Sequence, residues 1–185
     1  MAMDTTVKKR SEQAAADCWS IEDLFPSDQA WDEAFAACQA LPGQLAAYRG
    51  RLGESAQALY EYLELGERTD RQAETVYAYT SLRHDEDTAD PAYQAMSGRC
   101  FRFLVELGSA AAFEGPELAA IPEETLEGFY AQLPALEKYR RYLTKARLER
   151  EHILSPAEEA LLAAAGELGS GPSDIFRSFL DADMK

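Results

Sequence analysis

The sequence predicts an all-α protein, a bundle-like lobe of antiparallel helices joined by short loops. Three observations carry that expectation. Apolar residues recur every three or four positions in segment after segment, the period of one helix face. No run alternates β-branched residues, and Val and Ile are scarce, so nothing reads as a strand. Helix-opening signals, a Ser or Asp cap or a Pro in the first turn, precede most of the apolar stripes.

Residues 1–18 read as a flexible amino-terminal tail. Met1 to Asp17 is polar, with Lys8, Lys9 and Arg10 together, and has no apolar core of a signal peptide. Order is expected from Trp19. Ser27-Asp28 supplies an N-cap, and Trp31, Phe35, Cys38, Leu41, Leu45, Tyr48 and Leu52 form one stripe. Pro42-Gly43 falls inside that stripe and predicts a kink or break. A second helix starts near Glu54 with Leu59, Tyr62, Leu63 and Leu65. Gly66 is expected to interrupt it before the pattern resumes at Arg68 and runs on through Ala73, Val76, Tyr77, Tyr79, Thr80 and Leu82. Asp85-Glu86-Asp87 ends the stripe.

Asp90-Pro91 restarts a helix carrying Tyr93, Met96, Cys100, Phe103, Leu104, Leu107 and Ala111. Pro122-Glu123-Glu124 opens a shorter one, with acids at the positive end of the helix dipole and Leu126, Phe129, Tyr130 and Leu133 on its apolar side. Pro134 opens the next, with Leu136, Tyr139, Tyr142, Leu143 and Leu148. Ser155-Pro156-Ala157-Glu158 is a capping box before Leu161, Leu162, Ala165 and Leu168. Gly169 to Pro172 stops that helix, and a last short one holds Ile175, Phe176, Phe179 and Leu180. The helix lengths are too uneven for a tetratricopeptide-type repeat.

The chemistry is narrow. The 185 residues suit one domain, and 46% hydrophobic with 28% charged residues is a globular composition. With 33 acidic against 18 basic residues the net charge is −15, which excludes nucleic acid and anionic membrane surfaces as partners. No stretch approaches a membrane span. Cys18, Cys38 and Cys100 lie far apart without a CxxC, so neither a disulfide framework nor a zinc knuckle is expected; Cys38 and Cys100 read as small core residues. The chain has no Asn, which excludes N-glycosylation. A cytoplasmic protein follows from these readings.

His84 stands in Arg-His-Asp-Glu-Asp-Thr with Asp85 and Asp87 nearby, but no second His or Cys lies at ligand spacing, so it reads as a solvated helix end. His152 reads as a loop residue packing on a neighbour. HExxH, GxGxxG, GxxxxGK[ST] and GxSxG do not occur. Glu61 with Glu64, Glu123 with Glu127, and Glu158 with Glu159 read as solvated helix faces. The expected site residues are therefore none, whether catalytic, cofactor-binding or metal-ligating.

Four segments in order resemble the amino-terminal part of the oligoendopeptidase F family. They are Trp19-Ser-Ile-Glu-Asp-Leu-Phe-Pro-Ser-Asp28 with Trp31, then Tyr77 to Thr88 followed by Tyr93, then His152 to Leu162, and finally Ser173-Asp-Ile-Phe176 through Lys185. The resemblance spans about Trp19 to Lys185. It implies a large, mostly helical zinc metalloendopeptidase that cleaves short peptides in the cytoplasm. It also implies that the HExxH zinc site lies downstream, where no position of this chain matches it. The lobe would then help wall a deep substrate channel that admits oligopeptides and excludes folded proteins.

On that basis residues 19–171 are expected to form the helical lobe and 172–185 the start of a connection to a catalytic domain. The chain reads as a fragment, inactive alone and holding no cofactor, with zinc in the missing domain. Its expected partners are that domain and, in the full-length protein, oligopeptide substrates. Self-association through the carboxy-terminal Phe176, Phe179 and Leu180 is a further expectation, because a lobe parted from its domain would expose apolar surface. The competing reading is a stand-alone helical protein-interaction module.

Overall fold

The computed structural model describes residues 13–148 together with 172, 175, 176, 179 and 180. Among these residues every regular element is helical, as the periodicity implies. The expectations placed on residues 1–12, on the 155–158 capping box, on His152 and on Glu158 with Glu159 lie outside the described residues.

After short 3-10 turns at Ala15–Asp17 and Ile21–Asp23, helix α1 runs Asp28–Cys38. Ser27 is extended, and its hydroxyl accepts from the Ala30 N–H at 3.2 Å, satisfying one orphan donor of the first turn. The stripe does break, but just before Pro42-Gly43 and not at it. Gln39 and Ala40 separate α1 from α2, Leu41–Ala46, and Pro42 sits in the first turn of α2, where its missing N–H removes no bond.

Helix α3, Ala56–Glu86, is the spine of the lobe at 31 residues, capped by Ser55. Here the expected interruption at Gly66 is corrected: the helix passes through it unbroken. Leu63, Leu65 and Thr69 around it are buried, and their packing offsets the roughly 1 kcal/mol that Gly costs a helix interior. Helix α4, Pro91–Ala111, opens at Asp90, whose carboxylate accepts from the Ala92 N–H at 2.7 Å. It lies along α3 after a four-residue link, Asp87 to Asp90, which makes the pair antiparallel.

Helix α5, Glu114–Ala120, has no counterpart in the sequence reading. It buries Leu118 and Ala119 and anchors a turn, since Glu117 accepts from the Gly50 N–H at 2.6 Å and the Leu52 N–H at 3.4 Å. Gly50 has φ +80°, a left-handed backbone that an L side chain resists. Helix α6 runs Glu123–Gln132.

The single helix expected from Pro134 is corrected to two pieces, a 3-10 helix at Pro134–Tyr139 and α7 at Arg140–Leu148. Leu136 and Leu143 still reach the core, but the tighter winding of the first piece shifts the phase. Leu148 stays 74% exposed, and Tyr142 is half-exposed.

The core runs through every element from Ile21–Asp23 to α7. Trp31 is wholly buried, stacks on Phe35 with ring centroids 4.8 Å apart, and donates its indole N–H to the Val76 carbonyl at 3.0 Å. Burying such a side chain contributes about 2–3 kcal/mol. Cys38 and Cys100 are buried free thiols, both raised in pKa chiefly by desolvation. His84 lies in the last turn of α3, half-buried, with one Asp85 oxygen 3.6 Å from Nδ1. No helix among the described residues is long and apolar enough to cross a membrane.

Candidate functional site

Helices α2, α3, α4, α5 and α7 surround a cavity of about 490 Å³. Its walls are apolar. Leu63 comes from α3, Leu104, Leu107 and Ala111 from α4, and Leu45 from α2. Gly66 and Gly108 line it as well, and a Cβ at either would meet nothing within 4 Å, so the missing side chains leave open space. The polar groups are three tyrosines and three carboxylates: Tyr62, Tyr139, Tyr142, Glu67, Asp70 and Glu114.

Tyr62 is buried, and its hydroxyl donates to Glu114 Oε2 at 2.9 Å. Desolvation, then the Glu114 charge, pushes the phenol far above its ordinary value. Tyr142 donates to the other Glu114 oxygen. One carboxylate is thus oriented by two phenols from two helices. Beside them the Tyr139 hydroxyl lies 2.7 Å from Glu64 and 2.9 Å from Glu67. Its single proton serves one of them at a time. Lys138 bridges the same pair, touching Glu64 and lying 3.4 Å from Glu67. Bonds from Lys138 and Tyr139 hold Glu64 below the usual carboxylate range, and Tyr139 with Lys138 does the same for Glu67.

Asp70 differs. No hydrogen bond or ion pair from a described residue reaches it. Partial desolvation, and then the like charge of Glu74, raises its carboxyl above the ordinary value.

Of the carboxylates read as solvated faces, Glu61, Glu123 and Glu127 are exposed and Glu64 is half-buried, and two of these four clamp helices together. Glu64 holds Lys138 and Tyr139 from the 3-10 helix, and Glu127 holds Arg140 across the α6–α7 junction. No group of three or more His, Cys, Asp or Glu among the described residues could hold a metal ion. His84, with Asp85 alone, does not fit zinc.

Comparison with known proteins gives consistent results. A family model described as Oligopeptidase F matches residues 117–185. Oligopeptidase PepF of Bacillus subtilis is 36% identical over 175 residues, covering 95% of this chain and 26% of that protein. An Oligoendopeptidase F homolog of Lactococcus lactis is 30% identical over 182 residues, covering 96% of this chain and 30% of that protein. The crystal structure of oligoendopeptidase-F from Enterococcus faecium superposes with a TM-score of 0.73 at 31% identity, over 85% of this chain and 31% of that one.

The chain is similar, over nearly its whole length, to proteins of the oligoendopeptidase F family. It corresponds to an amino-terminal portion of these proteins and spans between a quarter and a third of their length. The resemblance read from Trp19 onward therefore holds, and so does the all-helical lobe expected of oligoendopeptidase F. Sequence reasoning missed the cavity. Glu114 is 52 positions from Tyr62 and 28 from Tyr142, and it opens the one helix that no stripe announced.

Proposed function

We propose that this chain is the amino-terminal lobe of a longer zinc metalloendopeptidase that hydrolyses short peptides, and that the lobe helps wall its substrate channel. One observation carries the reading. Nearly the whole chain aligns, at 36% identity, with a quarter of a protein named as an oligopeptidase. The described residues offer no donor set for zinc, so the reading puts the metal and its ligands in another part of the protein. On this reading residues 19–171 form the lobe, 172–185 begin the connection, and residues 1–18 are a tail. The lobe's partners are its own catalytic domain and the oligopeptides that domain cleaves. Three free thiols suit the reducing cytoplasm, where we place the protein.

The test compares the 185-residue chain with the longer reading frame. Both are assayed for bound zinc and for cleavage of a quenched short peptide. Zinc and cleavage should appear with the longer protein alone. Cleavage by the isolated chain, or a longer frame without peptidase activity, would overturn the proposal.

A further inference from the structure

The cavity between α3, α4 and α7 holds negative charge that no cation among the described residues neutralises. Glu67 is compensated, by Lys138 at 3.4 Å and Arg71 at 3.2 Å. Glu114 is not: both its oxygens accept from phenols, which fix its direction and leave its charge. No ion pair among the described residues reaches Glu114 or Asp70. Asp70 also has the like-charged Glu74 beside it, and the two effects together raise its carboxyl. A carboxylate in that position gains from any cation brought to it.

Around these acids the walls are leucine and alanine, and Gly66 and Gly108 keep space open between α3 and α4. A pocket with apolar walls, a few convergent polar groups and a volume of about 490 Å³ is of the size that takes a small ligand or a few residues of a chain. The tyrosine rings add faces that attract cations. Acidic ligands are repelled, both here and by the net charge of −15. A neutral apolar ligand would use the walls and leave Asp70 and Glu114 uncompensated. A bare inorganic cation would use the acids and leave the walls in water.

We infer that this cavity binds a polypeptide segment presenting a lysine or arginine next to an apolar side chain. The apolar residue lies against Leu104 and Leu107, and the cationic tip reaches Asp70 and Glu114. Such binding follows from the cavity's own chemistry, whether or not the protein is a peptidase, and is measured without turnover.

The test titrates the 185-residue chain with blocked dipeptides, N-acetyl-Leu-Arg-amide against its Leu-Gln and Leu-Glu counterparts, and follows binding by calorimetry or by shifts of amide resonances. The arginine peptide should bind at least about threefold more tightly than the glutamine peptide, the scale of one partly exposed ion pair. The glutamate peptide should bind more weakly still. Added salt should shrink the preference. Asp70→Asn should abolish most of the preference for arginine while leaving the glutamine peptide's binding unchanged. Gly108→Leu, which fills the open space, should weaken all three peptides, with dichroism verifying the helical fold. Equal affinity for the three peptides, no binding by any of them, or insensitivity to both substitutions would overturn the inference.

Discussion

Trp31 donates its indole N–H to the main-chain carbonyl of Val76 at 3.0 Å, tying α1 to the middle of α3 across 45 positions of sequence. The Val76 carbonyl also accepts from the Thr80 hydroxyl at 2.8 Å, a bond within α3, so one helical carbonyl serves both its own helix and the tertiary contact. Arg99 covers the exposed side of this contact, 5.0 Å from the Trp31 ring, and pairs with Asp32 at 2.8 Å.

Replacing Trp31 should separate the bond from the packing. Trp31→Phe keeps most of the apolar body and removes the donor, and about 1–2 kcal/mol of stability should be lost. Trp31→Ala also leaves a cavity and should cost about 3–5 kcal/mol. Urea unfolding followed by far-ultraviolet dichroism reads both. A loss below about 0.5 kcal/mol for Trp31→Phe would mean that the indole bond adds little beyond shape.

Two charge substitutions should respond to pH in opposite senses. The folded chain holds the Asp70 proton more tightly than the unfolded chain, because desolvation and Glu74 raise that carboxyl. The stability this group contributes is full below the unfolded value of about 3.9 and is lost as pH rises through the folded one. Asp70→Asn should therefore stabilise the protein at pH 7 and make little difference near pH 3. Glu64 and Glu67 are lowered by Lys138 and Tyr139, so their contribution is present above about pH 4.3 and is lost as pH falls through the folded values. Lys138→Met should destabilise at pH 7, and its difference from the parent should shrink as the solution is acidified. Denaturant midpoints at several pH values test both, and parallel curves for parent and variants would refute the assignments.

The glycines divide by backbone. Gly66 is helical, and a Cβ there meets nothing within 4 Å, so Gly66→Ala should stabilise α3 by about 0.5–1 kcal/mol. Gly50 has φ +80° and gives its N–H to Glu117, so Gly50→Ala should cost about 1–2 kcal/mol despite equally open space. Thermal unfolding of the two variants should move in opposite directions.

These glycines also show what the sequence makes legible. The Ser27 and Asp90 caps, the buried stripe from Trp31 to Leu45 and the end of α3 at Glu86 follow from local rules, and all are present. Gly66 defeats such rules because its neighbours' tertiary packing decides the outcome. Helix α5 is too short to show a period, and it is held by Leu118 in the core and by Glu117 reaching back 67 positions to Gly50. The tyrosine–carboxylate cavity is harder still, since its lining comes from five α-helices and a 3-10 helix and meets only after folding. The family was legible because its signature segments are local strings, which need no fold to be recognised.

Ile175, Phe176, Phe179 and Leu180 are 73%, 62%, 50% and 41% exposed. The described core does not cover them, as expected if they face a partner surface. Apolar side chains grouped in this way favour contact with another apolar surface, and in a solution of this chain alone the available one is a second copy. The charge of −15 on each copy opposes the encounter. Salt reduces that repulsion, the screening length falling from about 10 Å at 0.1 M to about 3 Å at 1 M. Sedimentation should therefore show a monomer–dimer equilibrium that strengthens with added sodium chloride. Phe176→Ser with Phe179→Ser should return the chain to a monomer while leaving its unfolding midpoint nearly unchanged, because exposed side chains contribute little to the core. A strict monomer at every salt concentration, together with a loss of several kcal/mol on Phe179→Ser, would instead place these residues in the lobe's own core and end the association hypothesis.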